Sequence, residues 1–314
     1  MEVIKYYLGF DIGGTKTALS LGQLNGKNLS IVYREEVKTT KDPKETLNPL
    51  IKKAKELKKE YQIESIGISC GGPLDEQKGI ILTTPNLPGW HSFYIVDFIK
   101  EELGLPTKMM NDANACALAE YHFGAGKGFH NVVFITCGTG FGAGLVLNDQ
   151  LYSGTNGNAG EIGHVRIDKK GPLAYGKNGC VESFCSGAGI AKLAIEMAQK
   201  EKELPSIINE MGGLDKVTTK KLAEAAHNGD AFAKKVFSRS GKMLGKTLAI
   251  LVDLFNPERI VIGGVYMRAS DLLIRSMKKE LNKEALPESL KVCKVVPAKL
   301  QEEIGDYAAI SVAM

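Results

Sequence analysis

Short apolar runs bounded by glycine, proline and charge open the chain. Residues 6–12, residues 18–21 and the pair Ile31-Val32 predict a meander of strands. Residues 46–61 then switch to a helical period, with Leu50, Ile51, Ala54 and Leu57 as the stripe for the core. Ile66-Gly67-Ile68-Ser69 reads as a short buried strand ending in Cys70-Gly71-Gly72-Pro73. Strands followed by a helix and another strand predict an α/β domain. Residues 84–90 hold two prolines, a glycine and the only tryptophan, and predict a surface loop of fixed course. Residues 113–123 have helical composition.

The pattern then repeats. Val132-Val133-Phe134 leads into a glycine-rich turn, and residues 153–163 are small and polar, as functional loops are. Helical periods fill 189–200, 218–228 and 231–255. Arg259-Ile260-Val261-Ile262 reads as a buried strand ending at Gly263-Gly264, residues 290–296 as a last strand, and the segment after Gly305 as a short helical tail. The parallel between the two hairpin-plus-strand halves suggests an internal duplication.

Both glycine-rich turns have the composition of phosphate loops. Gly9-Phe10-Asp11-Ile12-Gly13-Gly14-Thr15-Lys16 and Ile135-Thr136-Cys137-Gly138-Thr139-Gly140-Phe141-Gly142 each join two strand-like runs by glycines and a threonine, so each predicts a hairpin whose tight turn exposes backbone N–H groups. Neither fits the P-loop or dinucleotide-binding patterns, which argues against a P-loop enzyme and against a dehydrogenase.

At 314 residues, 44 % apolar and 24 % charged, the chain has the composition of a globular protein of two domains. Its net charge of +4 comes from 40 basic and 36 acidic residues spread along the sequence, so no nucleic-acid partner is expected. The densest basic stretch, residues 52–59, lies on the amphipathic helical pattern and reads as a solvated face. No signal peptide or membrane span is expected, and the six cysteines lack framework spacing, which points to reduced thiols and the cytoplasm.

Asp112, in Met109-Met110-Asn111-Asp112-Ala113-Asn114, is the first candidate for chemistry. Its position alone suits a helix N-cap. The phosphate loops, together with a polar cluster of Glu161, His164 and Glu182, favour a base that accepts a hydroxyl proton during phosphoryl transfer. Asp11 either caps its own turn or faces a metal–phosphate group. His164, three residues after Glu161 and among glycines, fits a site that binds several hydroxyls.

At these residues the chain resembles the ROK family of repressors and sugar kinases. Asp11-Ile12-Gly13-Gly14-Thr15-Lys16 is similar to the family's first phosphate motif, and Gly138-Thr139-Gly140-Phe141-Gly142 to the second. Thr84-Pro85-Asn86-Leu87-Pro88-Gly89-Trp90 resembles the sugar-side loop, Asn111-Asp112-Ala113-Asn114 the catalytic segment, and Gly160-Glu161-Ile162-Gly163-His164 the sugar-binding signature, continued at Gly179-Cys180-Val181-Glu182. Asn256 to Gly264 resembles the strand and turn near the adenosine.

The resemblance implies an α/β, two-domain actin-like ATPase (ribonuclease H-like) fold with a cleft between the domains. Residues 1–115, joined by the tail 297–314, would form one domain and 116–296 the larger second. It implies ATP and Mg²⁺ as cofactors, with Mg²⁺ near Asp11, and a homodimer. Asp112 would be the general base, and Asn86, Asn111, Glu161, His164 and Glu182 would bind the sugar hydroxyls. Asp11, Gly13, Gly14, Thr15, Lys16, Gly138, Thr139, Gly140, Gly263 and Gly264 would contact the nucleotide and its phosphates.

The implied activity is phosphorylation of the primary hydroxyl of a hexose such as glucose, or of an N-acetylhexosamine such as N-acetylmannosamine. A sugar-responsive transcriptional regulator or a non-catalytic sugar sensor of the same family is the alternative. A repressor would carry a DNA-binding module before the first phosphate motif, and here that motif follows closely on Met1.

One departure concerns metal. The family's zinc motif C-x-C-G-x-x-G-C corresponds to Leu173-Ala174-Tyr175-Gly176-Lys177-Asn178-Gly179-Cys180, with leucine and tyrosine at the first two cysteine positions. No bound zinc is expected, because structural zinc takes four Cys/His ligands. Apolar packing of Leu173 and Tyr175 is expected to hold the loop instead.

Overall fold

The computed structural model describes residues 3–314. The predicted meander is present: β1 (Lys5–Ile12) pairs antiparallel with β2 (Lys16–Asn25), and β2 with β3 (Asn28–Lys38). α1 (Pro43–Glu60) starts where the Asp42 carboxylate accepts the N–H groups of Lys44 and Glu45, and buries Leu50, Ile51, Ala54 and Leu57. β4 (Ile63–Cys70) runs parallel to β1. The short strands β5 (Leu74–Asp75), β6 (Ile80–Ile81) and β7 (Phe93–Tyr94) pair among themselves. Then follow α2 (Ile95–Leu103), β8 (Thr107–Asn111), parallel to β4, and α3 (Asp112–Phe123).

β9 (Val132–Cys137), β10 (Phe141–Leu147) and β11 (Gln150–Leu151) follow, then a small hairpin of β12 (Leu173–Ala174) and β13 (Lys177–Asn178). Five helices come next: α4 (Val181–Cys185), α5 (Gly187–Ala198), α6 (Ser206–Glu210), α7 (Thr219–His227) and α8 (Ala231–Phe255). The chain ends with β14 (Arg259–Ile262), α9 (Val265–Glu284), α10 (Pro287–Val292), β15 (Lys294–Pro297) and α11 (Ile304–Ala313). The strand expected over 290–296 is in fact the end of α10 followed by β15, and α9 takes up twenty residues that the hydrophobic pattern did not mark as a helix.

The larger sheets have orders β3-β2-β1-β4-β8 and β11-β10-β9-β14-β15. In each, an edge strand precedes a hairpin, and two strands parallel to the hairpin's first member complete the sheet. This shared order is the structural form of the internal parallel in the sequence.

Two compact units result. The first takes residues up to Phe129, Gly144–Ala159 and Lys299–Met314; the second takes His130–Ala143 and Gly160–Ala298. α3, which spans the boundary expected near residue 115, lies whole in the first unit.

The first unit's core packs Leu8, Phe10, Leu19, Leu47, Ile66 and Ile68 around Trp90. Residues 84–90 form the expected loop at the surface, with Pro85, Asn86, Pro88 and Gly89 exposed, but Trp90 turns inward: it is fully buried and its indole N–H donates to the Thr40 carbonyl at 2.8 Å. The prolines and glycine set the backbone course, and the apolar ring goes inward because it has an acceptor there.

α11 closes another face of this unit. It lies so close to β4 that a Cβ on Gly67 would stand 2.0 Å from the Ala309 carbonyl oxygen, an approach open only to glycine. In the second unit, α8 buries Val236, Phe237, Leu244, Leu248 and Val252, and α9 buries Tyr266, Leu273, Met277 and Leu281.

Candidate active site

The first phosphate-like loop is a tight turn between β1 and β2. Gly13 N–H closes it on the Lys16 carbonyl at 3.0 Å, and the Thr39 hydroxyl donates to the Gly13 carbonyl at 2.7 Å. Gly14 and Thr15 are exposed at its tip. Asn86 lies beside it, since a Cβ on Gly14 would meet the Asn86 carbonyl oxygen at 2.6 Å. The Lys16 ammonium turns aside and pairs with Glu36, which is also paired with Arg34.

β1 delivers Asp11 behind this turn, and the junction of β8 with α3 delivers Asn111 and Asp112. Asn111 is the N-cap of α3, its side-chain oxygen accepting Ala113 N–H at 3.0 Å, so Asp112 is the first helical residue and not the cap. Asp112 also accepts from Ala113 N–H, at 2.8 Å. Its side chain reaches solvent, yet protein crowded around it withholds enough water to push its carboxyl up. Asp11 is pushed up to about 7, first by burial, then by the carboxylates of Asp306 and Asp112. Cys70, at the end of β4, is pushed up by burial and by the same two aspartates, Asp112 and Asp11.

Sequence reasoning missed Glu76 in this group. Its Oε1 accepts Asn111 N–H at 2.8 Å, fixing the residue that precedes Asp112, and burial pushes its carboxyl up. A glutamate in a turn after Gly-Gly-Pro carries no linear signal of that partnership.

The second unit holds the other loop and the His/Glu cluster. Gly138, Thr139 and Gly140 connect β9 to β10. Gly187, at the start of α5, donates its N–H to the Gly138 carbonyl at 2.8 Å. Gly264 backs the loop with φ at +71°, and a Cβ there would stand 2.1 Å from the Cys137 carbonyl oxygen, so the Gly263-Gly264 turn fits against the loop only as glycine.

Glu182, in the first turn of α4, accepts Phe141 N–H at 3.0 Å. Glu161 precedes a single 3₁₀ turn that ends at His164, with Glu161 Oε2 3.7 Å from His164 Nε2.

The 173–180 segment departs from expectation. Leu173 is 56 % exposed and Tyr175 45 %, so apolar packing does not hold this loop. Tyr175 stacks on His164 with ring centroids 3.4 Å apart and planes 19° from parallel, and its hydroxyl donates to Glu182 Oε2 at 2.5 Å. Its ring is too polar at the tip to bury without that partner. Cys180 is buried with its thiol toward the carbonyls of Ala174 and Lys177, both at 3.9 Å.

The first unit therefore gathers Asp11, the Gly13 to Thr15 turn, Asn86, Asn111 and Asp112. The second gathers the Gly138 to Gly140 loop, Glu161, His164, Glu182 and the Gly263-Gly264 turn. Each group joins acceptors for hydroxyls to a glycine turn of the kind that holds phosphate.

Comparison with known proteins gives the chain a family. The ROK family pattern matches residues 7–313. The chain is 31 % identical to a glucokinase of Thermotoga maritima over 97 % of its own length and 96 % of that protein's. With a glucokinase of Halalkalibacterium halodurans the identity is 37 %, over 90 % and 87 %.

Among solved structures, a ROK family glucokinase from Streptomyces griseus in complex with glucose and AMPPNP superposes with a TM-score of 0.76 at 29 % identity, covering 98 % of this chain and 99 % of that one. A ROK family transcriptional regulator, a homolog of the E. coli MLC protein, superposes with a TM-score of 0.82 at 28 % identity, covering 98 % of this chain and 77 % of the regulator. The chain belongs to the ROK family and has the actin-like ATPase fold of its kinases.

Proposed function

We propose that this protein is a sugar kinase that moves the γ-phosphoryl group of ATP to the primary hydroxyl of a hexose such as glucose, or of an N-acetylhexosamine such as N-acetylmannosamine. The observation that carries the reading is Asp112, a solvent-accessible carboxylate at the first turn of α3, pushed up by its surroundings and held in one unit with Asp11 and the Gly13 to Thr15 turn. The glucokinase relatives support it.

In this reading the sugar hydroxyl gives its proton to a carboxylate oxygen of Asp112 as the oxygen attacks phosphorus, and the raised affinity of that carboxylate for a proton helps the transfer. Asn86, Asn111, Glu161, His164 and Glu182 bind and orient the remaining hydroxyls. Backbone N–H groups of the two glycine turns hold phosphate oxygens, and Gly263 and Gly264 lie by the nucleotide.

Among the described residues no three acidic or soft side chains lie close enough to hold a metal, and the Asp306 carboxylate is paired with Arg34. Asp11 is therefore the one protein ligand offered, in keeping with Mg²⁺, which takes one or two carboxylates and fills its shell with water and phosphate oxygens. Asp11 would hold the ion directly or through water, and when bound it would neutralise charge on the β- and γ-phosphates. The six cysteines are free thiols, in keeping with work in the cytoplasm. A homodimer belongs to the same reading, and light scattering tests it.

Coupled ADP release across a panel of hexoses and amino sugars tests the function. Sugar-dependent release with one clear preference is expected. The likeness to a transcriptional regulator favours a second reading, a sugar-responsive regulator, and absence of turnover with every sugar would defeat the kinase and leave the regulator and the non-catalytic sensor.

A further inference from the structure

The smallest hairpin in the protein carries a tyrosine where tight turns favour other residues. Leu173 pairs with Asn178 and Ala174 with Lys177, so Tyr175 and Gly176 alone make the turn, with φ at +52° and +70°. Both central residues in the left-handed region mark the turn for which Asn-Gly, Asp-Gly or Gly-Gly are preferred. A bulky aromatic residue is strained there, and such strain persists where surrounding contacts hold it.

Those contacts are two, and both reach residues of the His/Glu cluster. The tyrosine ring covers one face of His164, and its hydroxyl donates to Glu182 Oε2. Phe141 N–H donates to the same Oε2, so both donors are on one oxygen and Oε1 is the one the carboxylate presents. The stack fixes the plane of His164, and with it the directions in which its ring nitrogens offer hydrogen bonds.

We propose that Tyr175 is a positioning residue, which clamps the His164 ring and the Glu182 carboxylate in the orientation that receives the sugar hydroxyls. The inference rests on the sugar-kinase reading above. Tyr175 itself bonds no reacting atom; it sets two side chains in place before sugar arrives, so its contribution is to sugar affinity and not to the handling of ATP.

Two substitutions separate this role from simple loop stability. Tyr175→Phe keeps the stack and loses the hydroxyl donor to Glu182. Tyr175→Asn loses both contacts while placing a favoured residue in the turn. For Tyr175→Phe the KM for sugar is expected to rise about tenfold, because Glu182 loses a donor that holds its carboxylate in place and sugar binding must then order it. For Tyr175→Asn it is expected to rise further, with no fall in melting temperature. KM for ATP stays unchanged in both. In proton NMR, the His164 ring signals lie upfield in wild type and in Tyr175→Phe, and move downfield in Tyr175→Asn as the ring current is lost.

A sugar KM within about twofold of wild type in both variants overturns the inference while leaving the kinase reading intact. A melting temperature that drops with sugar KM unmoved assigns Tyr175 to loop stability alone and overturns it too. Wild type that turns over no sugar defeats the kinase reading, and the inference with it, an outcome seen before any variant is made.

Discussion

The Glu120 carboxylate receives the backbone N–H of Leu300 at 2.8 Å. The same oxygen takes Lys299 N–H at 2.9 Å, and the other takes Ala125 N–H at 2.6 Å. Glu120 is fully buried on α3, and these donors are all backbone, so it is a pin that ties the returning chain to the helix. A glutamine has one oxygen, and its amide N–H₂ must face at least one of those N–H groups. Glu120→Gln is expected to cost about 2 kcal/mol and Glu120→Ala about 3 kcal/mol, read by urea unfolding. Unchanged midpoints for both would remove the pin.

Asp112→Asn is expected to leave the fold and sugar binding nearly intact and to lower turnover by about 10² to 10⁴. Because its surroundings push the carboxyl up, wild-type kcat/KM should fall on acidification at a pH above the ordinary carboxylate range. The residual rate of the variant should lack that limb. A variant keeping more than about a tenth of the activity takes Asp112 out of the base's role.

Asp11 links stability to pH. Its carboxyl, ordinarily near 3.8, is pushed up to about 7 in the folded protein. Between those values the folded chain keeps a proton that the unfolded chain has lost, so stability falls as pH rises from about 4 to about 7 and then levels. Asp11→Asn removes the slope. Near pH 8, without nucleotide or divalent metal, it should be more stable than wild type by on the order of 2 kcal/mol, since partial solvent contact keeps the gain below the full linkage value. Thermal melts over that pH series check it, and parallel curves for the two proteins would count against it.

Elemental analysis of protein purified without added metal is expected to find far less than one zinc per chain, and chelator is expected to leave the melting temperature unchanged. His164 is covered by Tyr175 and the Cys180 thiol faces backbone carbonyls, while Leu173 and Tyr175 offer no soft ligand. Stoichiometric zinc would show that other ligands had been recruited.

Local chemistry was legible in the sequence where the chain encodes it locally. The apolar period over 231–255 predicts α8 at its observed bounds although Ser240 and Gly241 interrupt it, and Arg259–Ile262 is legible because four apolar-rich residues end at two glycines. α9 was missed: Ala269, at φ −137°, kinks its second turn, and polar residues dilute the stripe of Tyr266, Leu273, Met277 and Leu281. Leu290 and Val292 look like strand residues but fall in α10, where period and length cannot arbitrate over so few positions.

The turns at Gly13 to Thr15 and Gly138 to Gly140 are contiguous, and so they were visible. Glu76 with Asn111, and Tyr175 with His164 and Glu182, are partnerships set by tertiary packing, and no spacing announces them.

The seat of α11 on Gly67 has a consequence for how the protein comes off the ribosome. The helix lies against β4, a strand made long before it, and its Ala308, Ala309, Ile310 and Val312 are all buried. The whole of Gly160–Ala298 is translated in between. The first unit is therefore the earlier to begin and the later to finish: its sheet must wait, with the glycine face of β4 uncovered, until the final helix emerges. During that interval the nascent chain presents a bare strand surface, and that is the stage at which a chaperone has most to protect.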